Sequence, residues 1–341
     1  MLTVLLSSPR VAPGLLTWQA WSALREAALV LAGPGGHPLI PALAAAEVVP
    51  VTADVDPDAD AVTLAAYLSA AAEAGGPVVW LARPGEAADP ALLSALSGPY
   101  EVLNGSRDLP GAHLLDLVTI MDTLRVSCPW DREQTHESLL RYLLEEAYEA
   151  AETIENSDLA ALREEIGDVM FQAFFHARIA AERPAAEGGF TIDDVADTLA
   201  AKLVRRHPHV FGSVSVSSAA DVNANWEQIK QAERAEKAQA AQVAATPSVL
   251  DGVPYGQPAL SLAAQLQRRA ERAGITVSPD GAAADAEPES IGDALMALVA
   301  RAREAGLDPE LELRAAARRF AGSVRERERL GLVLATECYR P

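Results

Sequence analysis

Hydrophobic and polar positions change their period along this chain, and the changes divide it. Up to about residue 110, short apolar runs recur at 2–6, 28–31, 48–52 and 78–81. Between them lie the turns Gly33-Pro34-Gly35-Gly36 and Gly75-Gly76-Pro77 and an Ala-rich helical stretch at 61–74. Strands alternating with helices predict a small parallel sheet. The glycines at 33–36 are read as a turn, since neither GxGxxG nor GxxxxGK is present. From about 111 to 235 the strand signals vanish and helical spacing takes over. Residues 236–258 begin Ala/Gln-rich and end in Pro/Gly turns, which predicts a linker. Residues 259–332 are helical again, with a soft Gly/Ala/Asp/Pro segment at 277–288. The expected fold class is mixed: a small α/β domain at 1–110, an all-α bundle at 111–235, the linker at 236–258 and a second helical unit at 259–332.

The helical pattern is most informative at 138–182. Leu140, Leu143, Leu144, Ala147, Ala151 and Ile154 follow helical spacing, and so do Leu159, Leu162, Ile166, Val169, Met170 and Phe174. Asn156-Ser157-Asp158 interrupts the pattern and offers an N-cap for the second helix. Two long helices joined by about three polar residues form an antiparallel hairpin.

Acids fall in register on this hairpin. Glu146 and Glu149 are three apart, as are Glu165 and Asp168, so each pair shares a helix face. Glu149 and Glu165 lie eight residues either side of Ser157, and Glu146 and Asp168 lie eleven either side. Positions equidistant from the turn sit at one level, the nearer at about 12 Å for a rise of 1.5 Å per residue. All four are predicted beside the apolar stripe, with Gly167 expected to let the helices approach closely. Carboxylates converging on a half-buried site repel one another, and a hard divalent cation relieves the repulsion. An oxygen-only donor set selects Mg²⁺, with Mn²⁺ as the substitute. A solvated acidic helix face is the plain alternative, weakened by the scarcity of basic partners: only Arg141 and Arg163 lie between 140 and 170.

Composition narrows the partners. The formal net charge of -20 makes the chain a poor binder of duplex nucleic acid, which needs Lys and Arg against the phosphates. A phosphate ligand would therefore need cations to mediate. The two cysteines, Cys128 and Cys338, form no disulfide framework and no zinc spacing, consistent with a cytoplasmic location. The start of the chain lacks the basic and long apolar regions of a signal peptide, and no run of apolar residues is long enough to span a membrane.

Further motifs flank the acids. Glu145-Glu146-x-x-Glu149, a 15-residue spacer and Glu165-x-x-Asp168 are preceded by Cys128-Pro129-Trp130-Asp131-x-x-Gln134-Thr135-His136. They are followed by Lys202-Leu203-x-Arg205-Arg206-His207-Pro208-His209-Val210-Phe211 and by Asn225-Trp226-Glu227. This ordered set, over about 115–235, resembles the MazG family of all-α nucleoside triphosphate pyrophosphohydrolases. The resemblance implies cleavage of NTPs and dNTPs between the α and β phosphates, giving a nucleoside monophosphate and pyrophosphate, in nucleotide-pool housecleaning. It implies Mg²⁺ on Glu146, Glu149, Glu165 and Asp168, phosphate contacts from Lys202, Arg205 and Arg206, and a homodimer. Trp226 is the expected base-stacking residue, with Trp130 second, against a packing role for each. Glu145 is the candidate for orienting or deprotonating the attacking water, against a plain exposed role. His136, His176, His207 and His209 show no metal-ligand spacing, and His176 is expected in the core.

Ile166-Gly167-Asp168 recurs as Ile291-Gly292-Asp293, with Ser290 where the first copy has Glu165. Residues 259–332 are therefore expected to be a degenerate, inactive MazG-like repeat. The 1–110 region faintly resembles a tetrapyrrole-methylase-like domain through Val78-Val79-Trp80-Leu81-Ala82-Arg83-Pro84-Gly85, and no activity is assigned to it. A di-iron carboxylate bundle is disfavoured because neither Glu149 nor Glu165 is followed three residues on by a histidine. A non-catalytic nucleotide sensor or scaffold that keeps the metal site is the alternative function.

Overall fold

A computed structural model describes residues 1–85, 89–218, 221–222, 225–226, 228–230, 232–233, 248–275 and 290–330. Glu227, Cys338, the 277–288 segment and most of the expected linker lie outside these residues. The chain divides into two compact units, Met1–Arg205 and Arg206–Pro341.

The first unit opens with strands β1 (Leu2–Leu6), β2 (Leu29–Ala32), β3 (Val51–Thr52), β4 (Val78–Leu81) and β5 (Tyr100–Asn104), interleaved with helices α1 (Trp18–Glu26), α2 (Ile40–Ala45), α3 (Ala61–Glu73) and α4 (Pro90–Ala95). The sheet order is β3-β2-β4-β1-β5, and every pairing is parallel. Alternate residues of β4 enter two different cores. Val79 and Leu81 pack with Leu24 and Leu43 from α1 and α2, whereas Val78 and Trp80 pack with Leu68 and Leu92 from α3 and α4. A strand covered on both faces must be apolar at every position, which is why the central strands stand out as continuous runs. The sequence pattern missed β5. Its residues are mostly exposed at the sheet edge, so polar Glu101 and Asn104 interrupt the apolar signal.

The remainder of this unit is helical: α5 (Leu114–Ser127), α6 (Pro129–Glu133), α7 (His136–Glu155), α8 (Leu159–Ala180) and α9 (Ile192–Arg206). Arg10, in the loop after β1, ties the sheet layer to α5. Its Nη1 donates to Asp108 at 2.6 Å, and its Nε and Nη2 grip Asp116 at 2.8 and 2.6 Å. The two-pronged geometry makes this a directional tether. Met121, Leu139 and Phe175 form the core of the bundle.

The second unit contains α10 (Pro208–Phe211), α11 (Ala259–Arg272), α12 (Ile291–Glu304) and α13 (Pro309–Arg329). Its buried core is small, built on Ala263, Ala264 and Val299. Among the described residues no helix is long and apolar enough to cross a membrane.

Candidate metal and nucleotide site

The hairpin turns where the polar break predicts. Asn156 ends α7, Ser157 takes a left-handed conformation (φ 57°), and the Asp158 carboxylate accepts from the Ala160 and Ala161 amides at 3.1 Å each. That cap satisfies two of the four unpaired amides that open any helix. At its other end α7 starts in a capping box, in which Thr135 accepts from the Ser138 amide and Ser138 accepts from the Thr135 amide. Both helices are thus fixed at the ends that set their register.

With the register fixed, the acids meet. One carboxylate oxygen each from Glu146, Glu165 and Asp168 lies within 4.8 Å of the others, with Glu146 and Glu165 half-buried. Glu149 is exposed and lies outside this trio, although its charge acts on Glu165. Burial and the approach of Asp168 and Glu149 hold the Glu146 carboxyl above the usual glutamate range. Burial and the charges of Glu149 and Asp168 do the same to Glu165. The pairing by level is visible in these causes: among charged neighbours Asp168 acts most strongly on Glu146, and Glu149 on Glu165. Glu145, on the exposed side, adds to the field on Glu146. An all-oxygen set of close, mutually repelling carboxylates fits a hard divalent cation.

Two expectations about the hairpin interface need correction. Gly167 is not a close-approach position, since a Cβ there would meet nothing within 4 Å. The predicted apolar stripe packs only in part: Phe174 lies against the bundle core, and Leu143, Leu162, Val169 and Met170 are half-buried. Leu139, Ala150, Gln172 and Phe175 are buried, whereas Leu140, Leu144, Ile154, Leu159 and Ile166 are exposed. Each helix carries two apolar sets offset by about 100°, and the fold of this chain buries one more fully than the other.

The upstream motif has a structural task. Arg125 donates to the Asp131 carbonyl and, at 3.1 Å, to the Gln134 carbonyl, while its other edge binds Glu182 at 2.7 and 2.9 Å. It locks the Cys128–Gln134 turn against the end of α8. Trp130 packs edge-on against Tyr142 and Phe175, with half its surface exposed. His136 and His176 bond each other, Nδ1 to Nδ1 at 2.8 Å, with burial pushing His176 below the usual histidine range.

The expected cations lie in the last turns of α9. Lys202 is half-buried and Arg205 exposed. Arg206, the first residue of the second unit, reaches Glu233 through Nε (3.3 Å) and Nη2 (2.6 Å), and its guanidinium carbon lies 5.4 Å from the centre of the Trp226 ring. His207 meets the same tryptophan edge-on at 5.0 Å. Sequence reasoning missed Glu233. Its signal was a spacing of seven from Trp226. In the second helical unit, Asp293 is bound by the Ser290 hydroxyl at 2.6 Å in the cap of α12, whereas Asp168 sits mid-helix in α8.

Comparison with known proteins places this arrangement. A family model described as the MazG nucleotide pyrophosphohydrolase domain matches residues 134–211, the stretch that holds the hairpin and α9. A 26.1 kDa protein from the blaB 3' region of Streptomyces cacaoi is 47% identical over 228 residues, covering 67% of this chain and 88% of that one. The nucleoside triphosphate pyrophosphohydrolase/pyrophosphatase MazG of Thermotoga maritima is 39% identical over 241 residues, with 64% and 88% covered. The nucleoside triphosphate pyrophosphohydrolase of Mycobacterium tuberculosis is 41% identical over 213 residues, and this chain spans 61% of its length. The chain belongs to the MazG family of nucleotide pyrophosphohydrolases, and so is an enzyme of the hydrolase class.

Proposed function

We propose that this chain hydrolyses nucleoside and deoxynucleoside triphosphates at the α–β bond, releasing a nucleoside monophosphate and pyrophosphate, in cytoplasmic nucleotide-pool housecleaning. The observation that carries this reading is the convergence of the Glu146, Glu165 and Asp168 carboxylates within 4.8 Å on the family's matched segment. Glu146, Glu149, Glu165 and Asp168 would hold Mg²⁺, which when bound neutralises triphosphate oxygens and so lets an acidic pocket accept a polyanion. Glu145 orients the attacking water and takes its proton, while the water oxygen joins phosphorus and the α–β bridging bond breaks. Lys202, Arg205 and Arg206 bind phosphate oxygens, and Trp226 borders the base.

Residues 1–110, 111–235 and 259–332 are read as separate domains joined by the 236–258 linker, with catalysis in the second. Engagement of Asp293 by Ser290 supports an inactive role for the third. Exposed Leu140, Leu144 and Ile166 on the hairpin support a homodimer in which a second copy covers them.

The test is pyrophosphate release from a panel of NTPs and dNTPs, with and without Mg²⁺. Mg²⁺-dependent release with a monophosphate co-product supports the proposal. Tight nucleotide binding with no release would instead favour a sensor or scaffold, and release of inorganic phosphate alone would place the cut elsewhere.

A further inference from the structure

Glu233 takes no part in the reading above, yet it makes a short polar contact, 2.6 Å, to Arg206, one of its residues. Arg206 and Glu233 are both largely buried, with side-chain exposures of 18% and 14%. The carboxylate spans the Nε and Nη2 edge of the guanidinium, at 3.3 and 2.6 Å. The guanidinium carbon lies over the Trp226 ring, 5.4 Å from its centre, and His207 meets that ring at 75°. Two of the three guanidinium nitrogens are thereby committed, and Nη1 has no partner among the described residues. An arginine tail left free loses much rotamer entropy when it binds. One clamped by a fork and a stacked ring has already lost it.

We propose that Glu233 is a positioning residue: it holds Arg206 on the face of Trp226 so that the Nη1 edge is presented, pre-oriented, to a phosphate oxygen of the nucleotide. The inference rests on the reading that Arg206 binds phosphate. It excludes the opposite role, in which Glu233 masks Arg206 and the incoming phosphate must displace it. The two roles differ in sign, because loss of a positioner weakens substrate binding and loss of a mask strengthens it.

The experiment measures kcat and KM of the full chain with Mg²⁺ and whichever common nucleoside triphosphate it turns over fastest. The variants are Glu233→Gln, Glu233→Asp, Arg206→Gln and the double variant, with thermal midpoints recorded for each. Glu233→Gln is expected to raise KM about tenfold, the scale of one charge-assisted hydrogen bond, with kcat within about twofold. Glu233→Asp, which keeps the charge, should recover part of the KM. Arg206→Gln should raise KM at least as much, and adding Glu233→Gln to it should change KM by less than about twofold, because the proposed effect of the glutamate on substrate runs through the arginine. A fall in KM, an unchanged KM, or a full additional effect in the Arg206→Gln background overturns the positioning role while leaving the phosphate role of Arg206 standing. An unchanged KM in Arg206→Gln itself overturns that phosphate role. If Glu233→Gln does not fold, Glu233→Asp with the Arg206→Gln cycle decides the question by the same signs.

Discussion

The sheet and the acidic hairpin lie in one compact unit and hold together in opposite ways. In the sheet, Leu5, Val78, Val79 and Leu81 are almost wholly buried, and every strand pairing adds to the same end. Burial of such side chains stabilises the fold by about 1.5–3 kcal/mol each. In the hairpin, Leu139 and Phe175 supply a narrow core, and the next positions along the interface are carboxylates that raise one another's pKa. The first region is optimised for the empty protein. The second gathers like charge that the proposed cation would relieve. Substitution should therefore separate them: smaller side chains weaken the sheet, whereas loss of charge relaxes the hairpin and abolishes function.

The largest expected effect is on turnover. Asp168→Asn or Glu165→Gln should lower kcat/KM by about a thousandfold or more, the scale for dismantling a catalytic ion site, while the thermal midpoint of the metal-free protein holds or rises. Pyrophosphate release and calorimetric melting check both halves, and a lowered midpoint would mean that the carboxylates support the fold.

Next, Leu81→Ala in the sheet should cost about 2–5 kcal/mol of stability, through lost burial and the cavity left behind. Urea unfolding reads this, and a cost below about 1 kcal/mol would show that β4 is not the packed centre of its layer.

The third effect is of pH on the metal-free protein. Glu146 and Glu165 have folded pKa values raised above the ordinary glutamate value. Their contribution to stability is fully present below that ordinary value and is lost as pH rises through the raised one. His37 and His176, held below the usual histidine range by burial, lose stability over part of the same window. The carboxyl contribution is therefore read by difference: relative to Glu165→Gln, the thermal midpoint should climb as pH falls from neutral toward the ordinary glutamate range, and saturating Mg²⁺ should flatten that difference. The Asp108, Asp116 and Glu182 carboxyls, held low by Arg10 and Arg125 and by the Ser8 hydroxyl on Asp108, lose their contribution only below the ordinary carboxylate range. The two windows therefore do not overlap. No difference between the two proteins over the range from neutral pH to the ordinary glutamate value, or one of opposite sign, would contradict the assigned repulsion.

The smallest effect is at the start of α7. Thr135→Ala removes the cap and should cost about 1 kcal/mol, with a fall in activity if the register of Glu146 depends on it. Unchanged stability would show that packing alone sets the register.

The same contrast explains what the sequence disclosed. The central strands were legible because burial on both faces forces unbroken apolar runs such as Val78 to Leu81, and edge strand β5 was not because its face is wet. The hairpin turn was legible because Asn156, Ser157 and Asp158 have turn and cap chemistry that few other places accept. Mirroring about Ser157 then brought the acid pairs to common levels. Which apolar set packs could not be read, because Leu139 and Leu140 are both leucine and only the three-dimensional partner distinguishes them. The Arg206–Glu233 clamp was hidden for a related reason: its residues lie 27 apart and belong to no local pattern.

The most direct test of the central claim is a Mn²⁺ anomalous difference map from crystals of the protein soaked in that ion. The account predicts a peak about 2.2 Å from carboxylate oxygens of Glu146, Glu165 and Asp168, absent in Asp168→Asn. A catalytically active protein whose map shows no density between α7 and α8, or shows the ion on other residues, would contradict it.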